Sequence, residues 1–441
     1  MRLSLVLSIG AMFAAVLGAT VPTFNKDIAP ILYQNCATCH RPGEVAPFSL
    51  LTYQDAAKRS RLIAAVTHSR VMPPWKPEPG YGSFANERRL TESQIALIRD
   101  WSKAGAPEGD PKHKPAVPVF PVGWQAGEPD KVIGMPHPFS VPADGPDVYR
   151  CFVLSSGVDQ DTYVSGIEFR PGNPRVVHHA LIFLDSSGKA RERAAGSPDG
   201  GYPCFGGPGF IPSGSLGGWA PGATPSPTSA EIAQRVRAGS DIVVQIHYHP
   251  SGKPEEDQSR LGLRFSGPPS KGRAGIMIAS RGIDIPAGDG NYVVKASMVM
   301  PQDGDLIGIT PHAHYLGKDM RANAYLPDGS TKPLIWIKDW DFNWQGQYRY
   351  ATPVHLPRGT RIEFEYAYDN SEANPHNPTH PPKRVTWGEQ TTDEMAILFL
   401  SVMLPSPADV PAFQRNVRQQ LVQSILQSSF KRWWNSGQTA N

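Results

Sequence analysis

Hydrophobic and polar positions change their period along the chain, and the change divides it. Near the amino end the apolar residues fall at helical spacing. Residues 24–33 and 53–66 each show such a pattern, and a third begins after Thr91. There Thr91 and Gln94 stand at the spacing of a capping box, and Glu92 puts a negative charge in the first turn. Ile95, Leu97, Ile98 and Trp101 form one broad apolar face. The following segment, 105–129, is interrupted by Pro107, Pro111, Pro115, Pro118 and Pro121 and predicts a semi-extended linker. Beyond it, short apolar runs occur at 149–155, 176–184, 240–248, 306–310, 361–368 and 395–403. Turn signals such as Pro171-Gly172, Pro327-Asp328-Gly329 and Pro357-Arg358-Gly359 separate them. These runs predict strands in two antiparallel sandwiches that join near 266–272. Residues 196–227, rich in Gly, Pro and Ser, predict a long loop near a site. From 411 to 434 the pattern is helical again, and Phe430, Trp433 and Trp434 are expected to dock that helix on a neighbouring surface.

A length of 441 residues suits about three domains. With 40% hydrophobic and 19% charged residues the chain is of the folded rather than the disordered class. Lys plus Arg number 43 against 40 Asp plus Glu, so no basic field able to hold nucleic acid is present. No internal run reaches the roughly 20 apolar residues of a membrane span. Met1 and Arg2, the apolar run 3–17 and the small residues Gly18, Ala19 and Thr20 predict an export signal over 1–19. The mature chain is then expected in the periplasm or secreted, without stable membrane insertion, where disulfides are permitted.

Cys36-Ala37-Thr38-Cys39-His40 is the strongest local motif. Two Cys three apart suit thioether links to haem vinyls, and the adjoining His40 suits an axial imidazole, which predicts one covalent haem c. A dithiol redox motif would leave His40 unexplained. A zinc half-site would need two more ligands nearby, and no further Cys occurs before Cys151. In Arg70-Val71-Met72-Pro73-Pro74-Trp75 the thioether of Met72 is the expected distal haem ligand, with His68 as its rival. A Met/His pair raises the haem potential relative to two His, which suits an electron carrier. Residues 22–107 resemble the class I cytochrome c fold.

Histidines gather in three strand-like segments of the large region. They are His178-His179, His247 in Gln245-Ile246-His247-Tyr248-His249, and His312-Ala313-His314. His312 and His314, two apart, face one side of a strand. Adjacent His178 and His179 cannot do so on a flat strand, but can at its bent end or at a bulge. Imidazoles suit copper or zinc, and a thioether such as that of Met395 tilts a site toward Cu(I).

In this combination and order the segments resemble the copper type II, ascorbate-dependent monooxygenases, the family of peptidylglycine alpha-hydroxylating and dopamine beta-monooxygenases, over roughly 130–405. The resemblance implies two coppers per chain, facing each other across a wide solvent-filled cleft. His178, His179 and His247 would hold the electron-transfer copper, and His312, His314 and Met395 the oxygen-activating one. It implies hydroxylation of a C–H bond of a small organic substrate with dioxygen. The electrons would pass singly from the c-type haem to the first copper, supplied by ascorbate, another small reductant or a donor protein. Thr310 stands where the peptide-hydroxylating members carry an Arg, and Ile397 and Phe399 where they carry polar residues, so a less polar substrate is implied. The family is rich in disulfides. Here only Cys151 and Cys204 remain after the haem Cys, and an even pair in an exported protein is expected to bond. Tyr315 and Gln245 are candidates for orienting ligands, His249 for a spare ligand or a supporting role, and His376 and His380 for the cleft wall.

The fold class expected is therefore multidomain: a small all-α cytochrome c domain followed by two all-β, jelly-roll-like antiparallel sandwiches. The division expected is signal 1–19, cytochrome c domain 22–107, Pro-rich linker 108–130, sandwiches 131–270 and 271–405, and a helical tail 406–441. The alternative function is a periplasmic cytochrome c/copper electron-transfer or copper-binding protein without oxygenase activity.

Overall fold

The computed structural model describes residues 21–44, 46–121, 123–221, 229–388 and 390–438. The expected signal, 1–19, and the side chains of Phe430, Trp433 and Trp434 lie outside the described residues. The chain forms two compact units. One comprises Met1–Pro42, Ala46–Pro73 and Leu90–Pro118, and the other comprises Gly43–Val45, Pro74–Arg89 and Val119–Asn441.

In the first unit a turn of π-helix, Phe24–Ile28, runs into the helix Ala29–Asn35. Tyr53–Ala57 and Ser60–His68 follow as two pieces because Arg59 leaves the helical region between them. The last helix, Glu92–Lys103, starts at Thr91, whose hydroxyl and the Gln94 side chain satisfy each other's backbone N–H in a capping box. Phe24, Ile28, Leu32, Ile98 and Trp101 are fully buried and form the centre of this unit.

The expected all-α cytochrome c domain is corrected here. Among the described residues the unit contains only short helices, the longest of 12 residues. Positive φ at Gly43 (81°), Arg70 (58°) and Gly105 (85°) interrupts the chain between and after them. Pro74–Arg89 belongs to the other unit. It adds an edge to a β-sheet there through the Phe84–Tyr350 bridge, with Ala85 N donating to Arg349 O at 2.8 Å and Ala351 N to Ser83 O at 2.9 Å. The molecule is mostly β.

The second unit holds two antiparallel sandwiches. One sheet of the first runs, in spatial order, Lys131–Gly134, Arg260–Ser266, Thr162–Arg170 and Gln234–Val236. The facing sheet runs Gly201–Pro203, Val148–Ser155, Asp241–Tyr248, Val177–Asp185 and Gly214–Trp219. Phe169, Leu261 and Leu263 meet Phe152, Ile182, Val244 and Ile246 in one core. Strand alternation decides what is left for the other face. Ile242, Val244, Ile246 and Tyr248 point into the core, so Val243, Gln245 and His247 point away from it. A disulfide joins Cys151 to Cys204.

The second sandwich packs Gly272–Ser280, Ala396–Leu404, Gly304–His312 and Tyr348–Leu356 against Tyr292–Val299, Arg361–Tyr368, Gly317–Tyr325 and Thr331–Ile337. The helix Val410–Gln438 buries Phe413 and Val417 in the same core. Among the described residues no helix is long and apolar enough to cross a membrane.

Candidate metal centre

Three imidazoles converge on the outer face of the five-stranded sheet. His247 sits in the strand Asp241–Tyr248 and faces His179 of Val177–Asp185 across the ladder. The register of that ladder shifts between Val177 and His179, leaving His178 as the extra residue. A bulge of this kind turns an adjacent side chain to the same face, which a flat strand forbids. The Nδ1 atoms of His178, His179 and His247 then form a triangle with every side 3.2 Å.

The triangle matches a metal ion. Nitrogens so spaced lie about 1.8 Å from their common centre. His178, His179 and His247 would therefore be able to hold one ion together, since the usual metal–imidazole distance of about 2.0–2.1 Å exceeds that value. Without a cation the arrangement is unfavourable. Each ring nitrogen can either donate or accept, so three mutually close Nδ1 atoms cannot all be satisfied by one another.

Protonation is suppressed where a metal needs lone pairs. Burial first, and then the neighbouring His247, push His178 down to about 4. The same causes hold His179 well below its usual value. His247 is almost wholly buried, and its Nε2 lies 2.7 Å from Asp147 Oδ2. With Nε2–H donating to that carboxylate, the Nδ1 lone pair faces the triangle. This carboxylate–histidine pairing is the one that orients metal-bound imidazoles. Burial opposes ionisation of Asp147, but its bonds to His247 and His249 outweigh this and hold the carboxyl below its usual range. Tyr149 stacks on the other side of the His247 ring, with centroids 4.2 Å apart and planes at 12°. His249 is exposed and reaches Asp147 Oδ1 at 2.8 Å, so it supports the carboxylate rather than the triangle.

His312 and His314 are brought together in a different way. Their rings lie 5.4 Å apart, and each Nδ1 is engaged by the fold: His312 with Gln345 Oε1 at 2.6 Å, His314 with Asp393 O at 2.9 Å. The buried Glu394 accepts from the backbone N–H groups of His314, Leu316 and Met395 at 2.8, 2.7 and 3.0 Å, tying these segments into one turn. Met395 is buried, and its carbonyl accepts from Tyr368 Oη at 2.7 Å. Phe342 touches both groups of histidines. It stacks on His178 at 5.7 Å and 15° and meets His314 edge-on at 5.9 Å. Tyr315 packs on Phe342 rather than on a ligand, and Gln245 points to Cys204. His380 pairs with Glu372, and His376 donates its backbone N–H within its own loop, to Asn374.

In the first unit Cys36 and Cys39 are not disulfide-bonded, and burial pushes the Cys36 thiol up to about 12. His40 Nδ1 lies 3.1 Å from Phe48 O. Met72 donates its backbone N–H to Val66 O, and His68 ends its helix exposed. Among the described residues no hydrogen bond or ring contact joins His40 to Met72 or His68.

No family model matches the chain, and no curated protein matches it. Among solved structures it is similar to the major capsid protein P2 from bacteriophage PM2, at 9% identity and TM-score 0.28 over 62% of this chain and 97% of that one. It is similar to the infectious bursal disease virus VP2 subviral particle, at 11% identity and TM-score 0.19 over 64% and 74%. A secreted protein from Eubacterium rectale matches at 9% identity and TM-score 0.20 over 63% and 71%. At such scores these likenesses carry no statement about function.

No family model and no curated protein links the chain to copper monooxygenases or to cytochromes, so the resemblance that implied a monooxygenase fused to a cytochrome finds no support and is corrected. It rested on short segments: in two of them the Nδ1 atoms of His312 and His314 bond Gln345 and Asp393, and Glu394 and Met395 belong to the turn beside them. With it fall the enzyme assignment, the relay of electrons and the electron-carrier or copper-protein alternative. The substrate, dioxygen and reductant partners fall as well. One covalent haem, two coppers and ascorbate are replaced by a single feature: among the described residues, His178, His179 and His247 form the one group of three or more His, Cys, Asp or Glu placed to hold a metal ion. Asp147 and Phe342 were not found from the sequence. Asp147 is 100 residues from His247, and only the register Tyr149–His247 brings it near. Phe342 carried one signal, its place in the aromatic run Trp340-Asp341-Phe342-Asn343-Trp344.

Proposed function

We propose that this is an exported metal-binding protein whose first sandwich holds one divalent ion of the Zn(II) kind. The observation that carries the reading is the triangle of His178, His179 and His247 Nδ1 atoms at 3.2 Å, with Asp147 orienting His247. Three neutral imidazoles are a borderline ligand set, suited to ions such as Zn(II), and the hard cations Mg(II) and Ca(II) are disfavoured. With three protein ligands, a fourth would have to come from water or a small donor. The export signal expected over 1–19 and the Cys151–Cys204 disulfide support a location outside the cytoplasm.

Titration of the metal-free chain with Zn(II) and with Co(II) tests the reading. It predicts one site per chain, a Co(II) visible spectrum of four-coordinate type, and loss of both in His179→Ala and His247→Ala. Binding that survives both substitutions would refute it.

A further inference from the structure

The three candidate ligands are held by unequal means. His247 has the Asp147 carboxylate on one edge and Tyr149 stacked on one face. His178 has neither. It is the extra residue of the bulge, and the hydrogen bonds of its ring run to His179 and His247. Beside the His178 ring, nearly parallel at 15° with centroids 5.7 Å apart, stands Phe342, contributed by the second sandwich.

Phe342 is itself firmly placed. It opens the short 3₁₀ turn Phe342–Trp344, whose start is capped by the Asp341 carboxylate accepting from Asn343 N at 3.0 Å. Tyr315 packs against it at 4.5 Å, and His314 meets it edge-on. Three residues on, Gln345 Oε1 engages His312 at 2.6 Å. The ring is 7% exposed. The second sandwich thus supplies a rigid apolar plate that fixes the rotation of the one candidate ligand the first sandwich leaves loosely held.

We infer that Phe342 is a positioning residue for the three-histidine site. It holds the His178 imidazole with Nδ1 in the triangle, so that retention of the ion depends on docking of the second sandwich on the first. This rests on the metal-binding reading. An aromatic stack of this kind is worth about threefold to tenfold in an equilibrium or rate. The effect should fall on release of the ion, because a ring free to rotate leaves the coordination sphere more readily.

The test uses the full chain loaded with Co(II), in wild type, Phe342→Ala and Phe342→Leu. Transfer of Co(II) to excess chelator is followed through its visible bands, alongside the spectrum at saturation and the melting temperature of the metal-free protein. The leucine variant keeps apolar volume and carries the test if the alanine variant does not fold. The inference predicts release about threefold to tenfold faster in the leucine variant, with altered visible bands. Wild-type release and bands in that variant would overturn it, whatever the change in melting temperature, because a purely structural role moves only the latter. Failure of the wild type to bind Co(II) at all would overturn the metal-binding reading and this inference with it. Wild-type binding with an indifferent Phe342→Leu would overturn this inference alone.

Discussion

Replacing Asp147 by alanine removes the acceptor for His247 Nε2 at 2.7 Å and leaves that edge of a ring only 1% exposed without a partner. Two losses follow. The imidazole loses the carboxylate that favours the Nε2–H tautomer, so the Nδ1 lone pair is no longer held toward His178 and His179. The ring also becomes a weaker ligand. A hydrogen bond to a charged group is worth about 1.5–3 kcal/mol. Orienting partners of metal-bound histidines typically carry about 10–100-fold in affinity, or about 1.4–2.8 kcal/mol. The two ranges agree, so Zn(II) binding by Asp147→Ala should weaken by about 10–100-fold. His249→Ala is the internal control. His249 is exposed and bonds the other oxygen of Asp147, so its loss should cost no more than about threefold. Competition against a chromogenic chelator gives both constants, and a melting curve of each variant establishes that it is folded. A folded Asp147→Ala protein with wild-type affinity would refute the assignment of His247 as a ligand held through its Nε2–H.

Three further outcomes follow from other parts of the fold. Burial raises Glu394 to about 8, above the ordinary carboxyl value, so the native state holds a proton that the unfolded chain releases near 4.5. Its contribution is therefore complete below about pH 4.5 and is lost as pH rises toward 8, by up to about 5 kcal/mol in the limit. Urea midpoints measured across that window should fall, and Glu394→Gln should flatten the fall. A midpoint that rises between pH 5 and 8 in wild type and is unchanged in Glu394→Gln would contradict this. Removing the disulfide by Cys151→Ala with Cys204→Ala opens a cross-link spanning 53 residues and should lower stability by about 3–4 kcal/mol, read from urea unfolding; a loss below 1 kcal/mol would contradict it. Ile246→Ala, at a fully buried core position beside His247, should cost about 2–4 kcal/mol of stability. Because its side chain points away from the triangle, Zn(II) stoichiometry in the folded variant should stay unchanged.

Much of the strand plan was legible because period-two patterning reports burial directly. The runs expected at 149–155, 240–248 and 361–368 appear as Val148–Ser155, Asp241–Tyr248 and Arg361–Tyr368. The capping box at Thr91 was legible for the same local reason. The bulge that adjacent His178 and His179 would require is present in their ladder. Long-range placement was not legible. Nothing in the pattern of 74–89 shows that Trp75 and Phe84 pack on Tyr348, which lies far along the chain. The expected loop at 196–227 contains the strands Gly201–Pro203 and Gly214–Trp219, whose Gly and Pro content hid them. The pairing of His312 with His314 was legible from their spacing, and their rings lie 5.4 Å apart, but Gln345 and Asp393, the partners of their Nδ1 atoms, were not.

Metal content per chain is the most direct measurement. The full-length protein, stripped by chelator and equilibrated with Zn(II), is passed through a desalting column and analysed for bound metal, in parallel with His179→Ala and His247→Ala. The account predicts one tightly held ion in the wild type and none in either folded variant. A wild type that retains no ion, or variants that retain as much as the wild type, would contradict it.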